Sequence, residues 1–333
     1  MTAPSTTTTD RATWILARLH RLPGGVAYCH EQGGERWPEW ETRLLRSIRR
    51  TSRASLVSAG VRYAREIIKG RWPQLEEFLF MPDNLEHLVS YMTRDIVGTR
   101  WKEMEDAVLN GTCHPLIRST LAVRYATQIL GGRWRRAEPL LIQDSADPVL
   151  AHLFDRWMAP SSLTCTVEYA LQAMGGKWRR LEREVVSGRS DLSVGVDYAM
   201  RIRKSAWRGV ERQLAVSPPS VFTPIWIAMY ACFARRKRWP AGEKALLSHP
   251  VTDGVLDAII MYMFGVVGGR WRKAEPLLAD SPRHLLEYAD KVLKGRLPDR
   301  LHNTMVLRSF ETPDDAHIRE YIGKHGKVTP RSP

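Results

Sequence analysis

The stretch best equipped for chemistry is GGRWRRAEPLL, Gly131–Leu141. Glycines let a backbone approach a phosphate closely, and guanidinium groups clamp its oxygens. The phrase returns as GGRWRKAEPLL at Gly268–Leu278, with ten of eleven positions unchanged. A phosphate loop also needs the Walker spacing of glycine, lysine and hydroxyl, and neither GGRW nor GGKW sits in it. Other chemistries find no better support. The chain has no HExxH, no CxxC and no G-x-S-x-G elbow, and its ten histidines are dispersed. Cys29, Cys113, Cys165 and Cys232 are scattered and read as small buried hydrophobes in a reducing compartment. Cys113-His114 has no further ligand nearby in sequence, and Glu76-Glu77 and Asp314-Asp315 read as solvated helix-end charges. The expectation is a non-enzyme with no catalytic residue, no metal and no cofactor.

The duplicated phrase belongs to a repeat. Its Trp recurs at Trp37, Trp72, Trp101, Trp134, Trp178, Trp207, Trp239 and Trp271, and a ninth copy carries Leu297 there. Nine residues before this anchor stands Tyr28, Tyr63, Tyr125, Tyr169, Tyr198, Tyr230, Tyr262 or Tyr288; the third copy instead has Met92, with Tyr91 beside it. Four residues after the anchor stands Glu41, Glu76, Glu105, Glu138, Glu182, Glu211, Glu243 or Glu275, and the ninth copy has Leu301. Anchor spacings of 26 to 44 residues leave room for two short helices and two turns.

Each copy reads as helix, turn, helix. The first helix carries the Tyr, as in YATQILGG, Tyr125–Gly132, with apolar residues at helical spacing. Gly132 or its equivalent is expected to end it through a left-handed cap. The second helix starts around the Trp, where Pro38, Pro73, Pro240 and Pro298 suit a first turn. No copy has a strand pattern. The fold expected is all-α, an α-α solenoid of about nine helix-turn-helix repeats over residues 10–301. Residues 1–9 read as disordered, 10–22 as a cap helix beginning at Asp10, 143–165 as an irregular insertion, and 302–333 as a C-terminal cap with a loose tail from Gly323.

Units of the form Tyr-Ala-x(n)-Gly-Arg-Trp-Pro-x-x-Glu, best seen in RYAREIIKGRWPQLEEFL (Arg62–Leu79), resemble arrays in uncharacterised proteins of tailed bacteriophages. The turn is also similar to tetratricopeptide and Sel1-type repeats: Gly132, Trp134 and Ala137 fit that pattern, as do Gly269, Trp271 and Ala274. The chain departs from those families in carrying Tyr where they place a small residue, and in its varying unit length. The resemblance covers about Val26 to Leu301. It implies a solenoid that binds other molecules, acting in the host-cell cytoplasm for a phage product, and it brings no catalytic residue.

Two groups of side chains need a role. The trio Tyr63-Trp72-Glu76 and its counterparts (Tyr125-Trp134-Glu138, Tyr169-Trp178-Glu182, Tyr198-Trp207-Glu211, Tyr230-Trp239-Glu243 and Tyr262-Trp271-Glu275) repeat too regularly for ligand contacts, which should vary along an array. They read as structural. Tyr and Trp bury area between the helices with their polar tips on a partner. Glu favours the positive helix end and reaches Arg135, Arg179, Arg208 or Arg272 three residues before it. An aromatic ladder stacking nucleobases is the functional alternative. The cations are less easily explained. Arg135, Arg136, Arg179, Arg180, Arg208, Arg272 and Lys273 fall in a first helical turn, where the dipole disfavours them by roughly 0.3–1 kcal/mol each. Arg133, Lys177, Arg203, Lys204, Arg235, Arg236, Lys237, Arg238 and Arg270 crowd the same turns. Together they are expected to form a basic edge that binds anions, or else a merely solvated one.

Composition bounds the partner. A net charge of +14, with 39 Arg against 11 Lys, favours acidic proteins or nucleic acid. At 44% hydrophobic residues the chain can form a core. The most apolar stretches, Val221–Ala234 and Val255–Val267, are too short to cross a bilayer, and MTAPSTTTTD has no secretory apolar core, so a cytoplasmic protein without a membrane partner is expected. The function expected is an interaction scaffold for a protein with an acidic surface, with sequence-nonspecific nucleic-acid binding through the basic edge as the alternative. An exposed apolar patch near Phe154–Met158 would favour protein. The sequence does not indicate an oligomeric state.

Overall fold

The computed structural model describes residues 24–31, 33–51, 53–81, 84–98, 100–110, 115–147, 164–217 and 223–326. The expected N-terminal segment and cap helix, Cys113-His114, residues 148–163 of the insertion with Phe154–Met158, and the tail beyond residue 326 lie outside them. Among the described residues every regular element is helical and none is a strand. The chain divides into two compact units, Met1–Trp178 and Arg179–Pro333.

Within each unit two kinds of helix alternate. In the first, Tyr-bearing helices, which end at the Tyr or just before a π turn that begins with it, such as Ala54–Tyr63, Leu85–Tyr91 and Pro115–Arg124, alternate with Trp-started helices such as Pro38–Thr51, Pro73–Leu79 and Lys102–Leu109. In the second, Leu192–Tyr198, Thr223–Met229 and Asp253–Tyr262 alternate with Arg208–Val216 and Pro240–Ser248. Successive Tyr-bearing helices pack side by side, as Thr223–Met229 does on Asp253–Tyr262. Successive Trp-started helices do the same, as Arg208–Val216 does on Pro240–Ser248. The core is what the spacing demands: Leu75, Leu79, Val108, Leu141, Val210, Leu246 and Leu278 are all fully buried.

The start and stop of each helix follow from local chemistry. Trp72, Trp101, Trp207 and Trp239 stand at N-caps in extended backbone. Pro73 and Pro240 open the next helix, where a missing N–H costs nothing. The Tyr-bearing helices end differently from the sequence expectation. Most widen into π turns, Ala64–Ile68, Tyr125–Leu130, Ala199–Arg203, Tyr230–Arg235, Met263–Val267 and Tyr288–Leu293. There the N–H reaches back five residues, as Lys204 to Ala199 and Gly268 to Met263. The residue that then turns left-handed stands three before the anchor, not two. In the opening phrase it is Gly131, at φ 67°, rather than Gly132.

Four of these left-handed positions are not glycine. Lys69, Lys204, Arg236 and Lys294 sit at φ 50–55°, where a Cβ crowds the following carbonyl. Lys204→Gly or Arg236→Gly should therefore stabilise the protein by about 0.5–1 kcal/mol, after the greater chain entropy of glycine is subtracted. Equilibrium denaturant unfolding checks this; unchanged or lowered stability would show that the long side chain makes up the strain elsewhere.

The C-terminal reading needs a correction too. Residues 299–311 and 316–325 form two further helices, Asp299–Glu311 and Ala316–His325, so Gly323 lies in a helix rather than a loose tail. The last one buries Ile318 and Tyr321, and Asp315 caps it through the N–H groups of His317 and Ile318. No helix among the described residues is long and apolar enough to cross a membrane.

Candidate functional site

The repeated trio forms a polar joint between one copy and the next. In copies one to four, seven and eight, the Arg just before the anchor grips the Glu four residues after it. The pairs are Arg36–Glu41, Arg71–Glu76, Arg100–Glu105, Arg133–Glu138, Arg238–Glu243 and Arg270–Glu275, each two-pronged with N–O distances of 2.7–3.0 Å. The Tyr of the following copy completes the joint. Its hydroxyl accepts the backbone N–H of the preceding anchor and donates to the same Glu. Tyr63 does this with Trp37 and Glu41 at 2.7 and 2.9 Å, Tyr125 with Trp101 and Glu105 at 2.9 and 2.7 Å, and Tyr262 with Trp239 and Glu243 at 2.8 and 3.0 Å. Tyr169 bonds Trp134 and Glu138, Tyr230 bonds Trp207 and Glu211, Tyr198 donates to Glu182, and Tyr288 donates to Glu275.

The Tyr thus works in two directions. Its hydroxyl reaches back one copy, while its ring packs on the anchor of its own. Centroid distances are 4.9–5.6 Å for Tyr63–Trp72, Tyr125–Trp134, Tyr169–Trp178, Tyr198–Trp207, Tyr230–Trp239 and Tyr262–Trp271. Trp134 and Trp178 are 4% and 3% exposed, which leaves no outward face for stacking a base. Two details differ from the sequence expectation. Glu138, Glu182, Glu211 and Glu275 pair with Arg133, Arg203, Arg235 and Arg270, not with Arg135, Arg179, Arg208 and Arg272. The carboxylates turn inward, away from the helix surface on which i, i+3 partners meet. The indole N–H groups of Trp101, Trp134 and Trp271 are buried without a partner among the described residues; it is the backbone N–H of the anchor that Tyr satisfies.

Where a copy lacks its Arg, another replaces it from the next copy. Copy five has Lys177 at that place and copy six has Ala206. Their carboxylates are held by Arg203, at 3.1 Å from Glu182, and by Arg235, against Glu211. Both replacements stand four residues before the following anchor, a place held by glycine or an apolar residue in every other copy. The third copy is irregular by one residue only: Tyr91, not Met92, reaches Trp72 and Glu76. The ninth turn keeps the joint by exchange of chemistry. Tyr321 accepts the N–H of Leu297 at 3.2 Å, and His302 stands in for the missing Glu, with Nδ1 2.8 Å from the Tyr321 hydroxyl. Sequence reading overlooked Tyr321 because no Trp follows it.

These joints divide the cations proposed from the sequence. Arg133, Arg235, Arg238 and Arg270 are held by carboxylates. Arg135, Arg136, Lys177, Arg179, Arg180, Arg208, Arg236, Arg272 and Lys273 are exposed and ion-paired to no carboxylate among the described residues. The place two residues after the anchor has a further relation to the preceding copy. Glu103 contacts Arg71 at 3.1 Å. Arg136 and Lys273 lie close enough to Glu105 and Glu243 to favour their charged forms. This neighbour explains two of the cations set against the helix dipole.

Other clusters are structural by geometry. Ser281, His284 and Asp257 are linked through 2.7 and 3.0 Å hydrogen bonds, but the His284 ring is fully buried and tethers one Tyr-bearing helix to the next. Asp144 is buried against Arg118 and Ser119. Among the described residues no three His, Cys, Asp or Glu side chains could hold a metal ion together. Burial pushes the Cys232 thiol up to about 11, which suits a packing residue rather than a nucleophile. Comparison with protein-family models, curated proteins and solved structures finds no match to this chain.

The joint predicts a pH window and a rescue. The Arg238 and Arg270 guanidinium groups hold the Glu243 and Glu275 carboxyls below their usual range, against burial and with help from Tyr262 and Tyr288. Burial above all pushes the hydroxyls of Tyr125, Tyr169 and Tyr230 up to about 12. Depressed carboxyls contribute stability above their unfolded value near about 4.3, which is lost as pH falls through the folded values. Raised phenols contribute it below about 10, and it is lost as pH climbs towards about 12. The buried His249 and His302, whose lowered values cost stability below about 6.5, and the raised Cys232 thiol, which costs it above about 8.5, narrow this window. Unfolding free energy measured against pH should therefore be highest between about 6.5 and 8.5 and fall on both sides. Separately, Arg235→Ala should cost about 1–3 kcal/mol by stranding Glu211, and Ala206→Arg in the same chain should recover most of it. No recovery in a double-mutant thermal melt would mean that the two arginine places are not equivalent.

Proposed function

We propose that this chain is a non-enzymatic interaction scaffold, an α-α solenoid of about nine helix-turn-helix repeats that binds a protein with an acidic surface through its exposed cations. The recurring joint carries this reading. It engages the repeated Tyr, Glu and Arg in cohesion between copies, and leaves the variable, exposed cations for a partner. A repeat whose polar residues serve cohesion can change its outer side chains without losing its fold, which is the property a binding surface needs. The phage resemblance adds a setting, an adaptor acting in the cytoplasm of an infected cell.

Sequence-nonspecific nucleic-acid binding is the second reading, favoured by the same exposed arginines. Affinity capture from the native host, with and without nuclease, separates the two. The scaffold reading expects a captured protein whose retention survives nuclease and is lost when Arg135, Arg136, Arg179 and Arg180 are neutralised. Capture abolished by nuclease, with a low-salt gel shift whose affinity falls steeply as salt rises, would replace it with the second.

A further inference from the structure

One junction in the second unit has glycine at a place where several other copies carry a long side chain. Two residues after the anchor, three other copies carry Glu103, which contacts Arg71 of the copy before, or Arg136 and Lys273, which favour the charged forms of Glu105 and Glu243 there. The sixth copy has Gly209 there, and a Cβ on it would meet Val186 at 2.9 Å. An open cavity of about 740 Å³ lies at this junction, lined by Arg179, Glu182, Arg183, Val186, Arg203 and Trp207.

Its charge is unbalanced. Glu182 is engaged by Arg203 and Tyr198. Glu184, the other carboxylate on that helix, pairs with Arg189. Arg179 and Arg183 stand one helical turn apart, exposed and without a carboxylate among the described residues, so they repel each other. Arg203 lies over the Trp207 ring at 4.9 Å and has a buried Nε with no acceptor. Beside these cations Val186 is 52% exposed. At the corresponding junction of copies two and three a carboxylate is present, Glu103, in contact with Arg71.

We propose that this cavity receives an acidic side chain from a partner polypeptide, held by Arg179 and Arg183, with an adjacent apolar residue of the partner on Val186. The proposal rests on the scaffold reading and names where the partner docks.

Fluorescence anisotropy of the full chain with a labelled peptide of four Glu-Glu-Leu repeats tests it. Arg179→Ser with Arg183→Ser should weaken binding by about tenfold or more, whereas Arg272→Ser with Lys273→Ser, the same loss of charge elsewhere, should change it by less than about twofold. Gly209→Glu, which supplies the carboxylate internally, should weaken binding like the first pair; thermal melts check that each variant folds, and the two serine pairs carry the test alone if Gly209→Glu does not. Equal losses in both pairs, or no binding of the peptide, would overturn the site. So would a single-stranded oligonucleotide of matched charge that binds more tightly than the peptide and depends on Arg179 and Arg183. A host protein that remains captured by the Arg179→Ser, Arg183→Ser chain would remove this site and leave the scaffold reading standing. Loss of all protein capture removes the scaffold reading, while the peptide titration still reports on the cavity.

Discussion

The structure depends on a carboxylate that cannot be left alone. A Glu placed between two helix pairs loses water on most sides, and such a group is stable only if its lone pairs are filled. An arginine fork from the same turn and a tyrosine hydroxyl from the next helix fill them. Because the hydroxyl also accepts the anchor's backbone N–H, it closes an N–H that the start of the helix would otherwise leave open. Three orphan groups are thus satisfied at once, and none can be satisfied by a copy in isolation. The polar joint accordingly helps to set which helix follows which, while apolar burial contributes more of the stability.

The exceptions show that the requirement is chemical rather than positional. Lys177 and Ala206 vacate the usual arginine place, and Arg203 and Arg235 reach the carboxylates from the opposite side. His302 replaces Glu at the last turn and still meets a tyrosine hydroxyl. Tyr91 takes over when the third copy is shifted by one residue. In each case the buried polar group is kept satisfied and its supplier changes. A requirement for close packing alone would not have produced the exchange of one arginine for another.

This arrangement also bears on function. Cations that serve cohesion are engaged by carboxylates even where they are exposed, while those two residues after the anchor or in the left-handed turn are ion-paired to no carboxylate among the described residues. The Gly131-to-Leu141 phrase contains both kinds: Arg133 holds Glu138, whereas Arg135 and Arg136 are exposed, Arg136 near enough to Glu105 of the preceding copy to favour its charged form. The junction at Gly209 brings the two kinds together, since Arg203 holds Glu182 there while Arg179 and Arg183, exposed and without a carboxylate among the described residues, line the same open space.

The repeat, its helical character and the burial of Tyr and Trp were legible in the amino-acid order, because periodic apolar residues and a returning Tyr-Trp-Glu spacing are local and one-dimensional. The column of arginines before the anchor was equally visible, and its two gaps coincide with the only two arginines four residues before an anchor; that coincidence was there to be read. The partner of each Glu was not. A carboxylate at the start of a helix has cations three residues before it and five before it, and sequence spacing favours the first. Only the inward direction of the side chain, imposed by the neighbouring copy's tyrosine, selects the second. The same holds for the π turns, whose hydrogen bonds depend on backbone geometry that no residue type announces, and for Tyr321, which can be recognised as a joint only once it is seen against Leu297 and His302. The sequence by itself determined the helices and their repetition; tertiary structure decided which charges pair, because that depends on which surfaces lose water together.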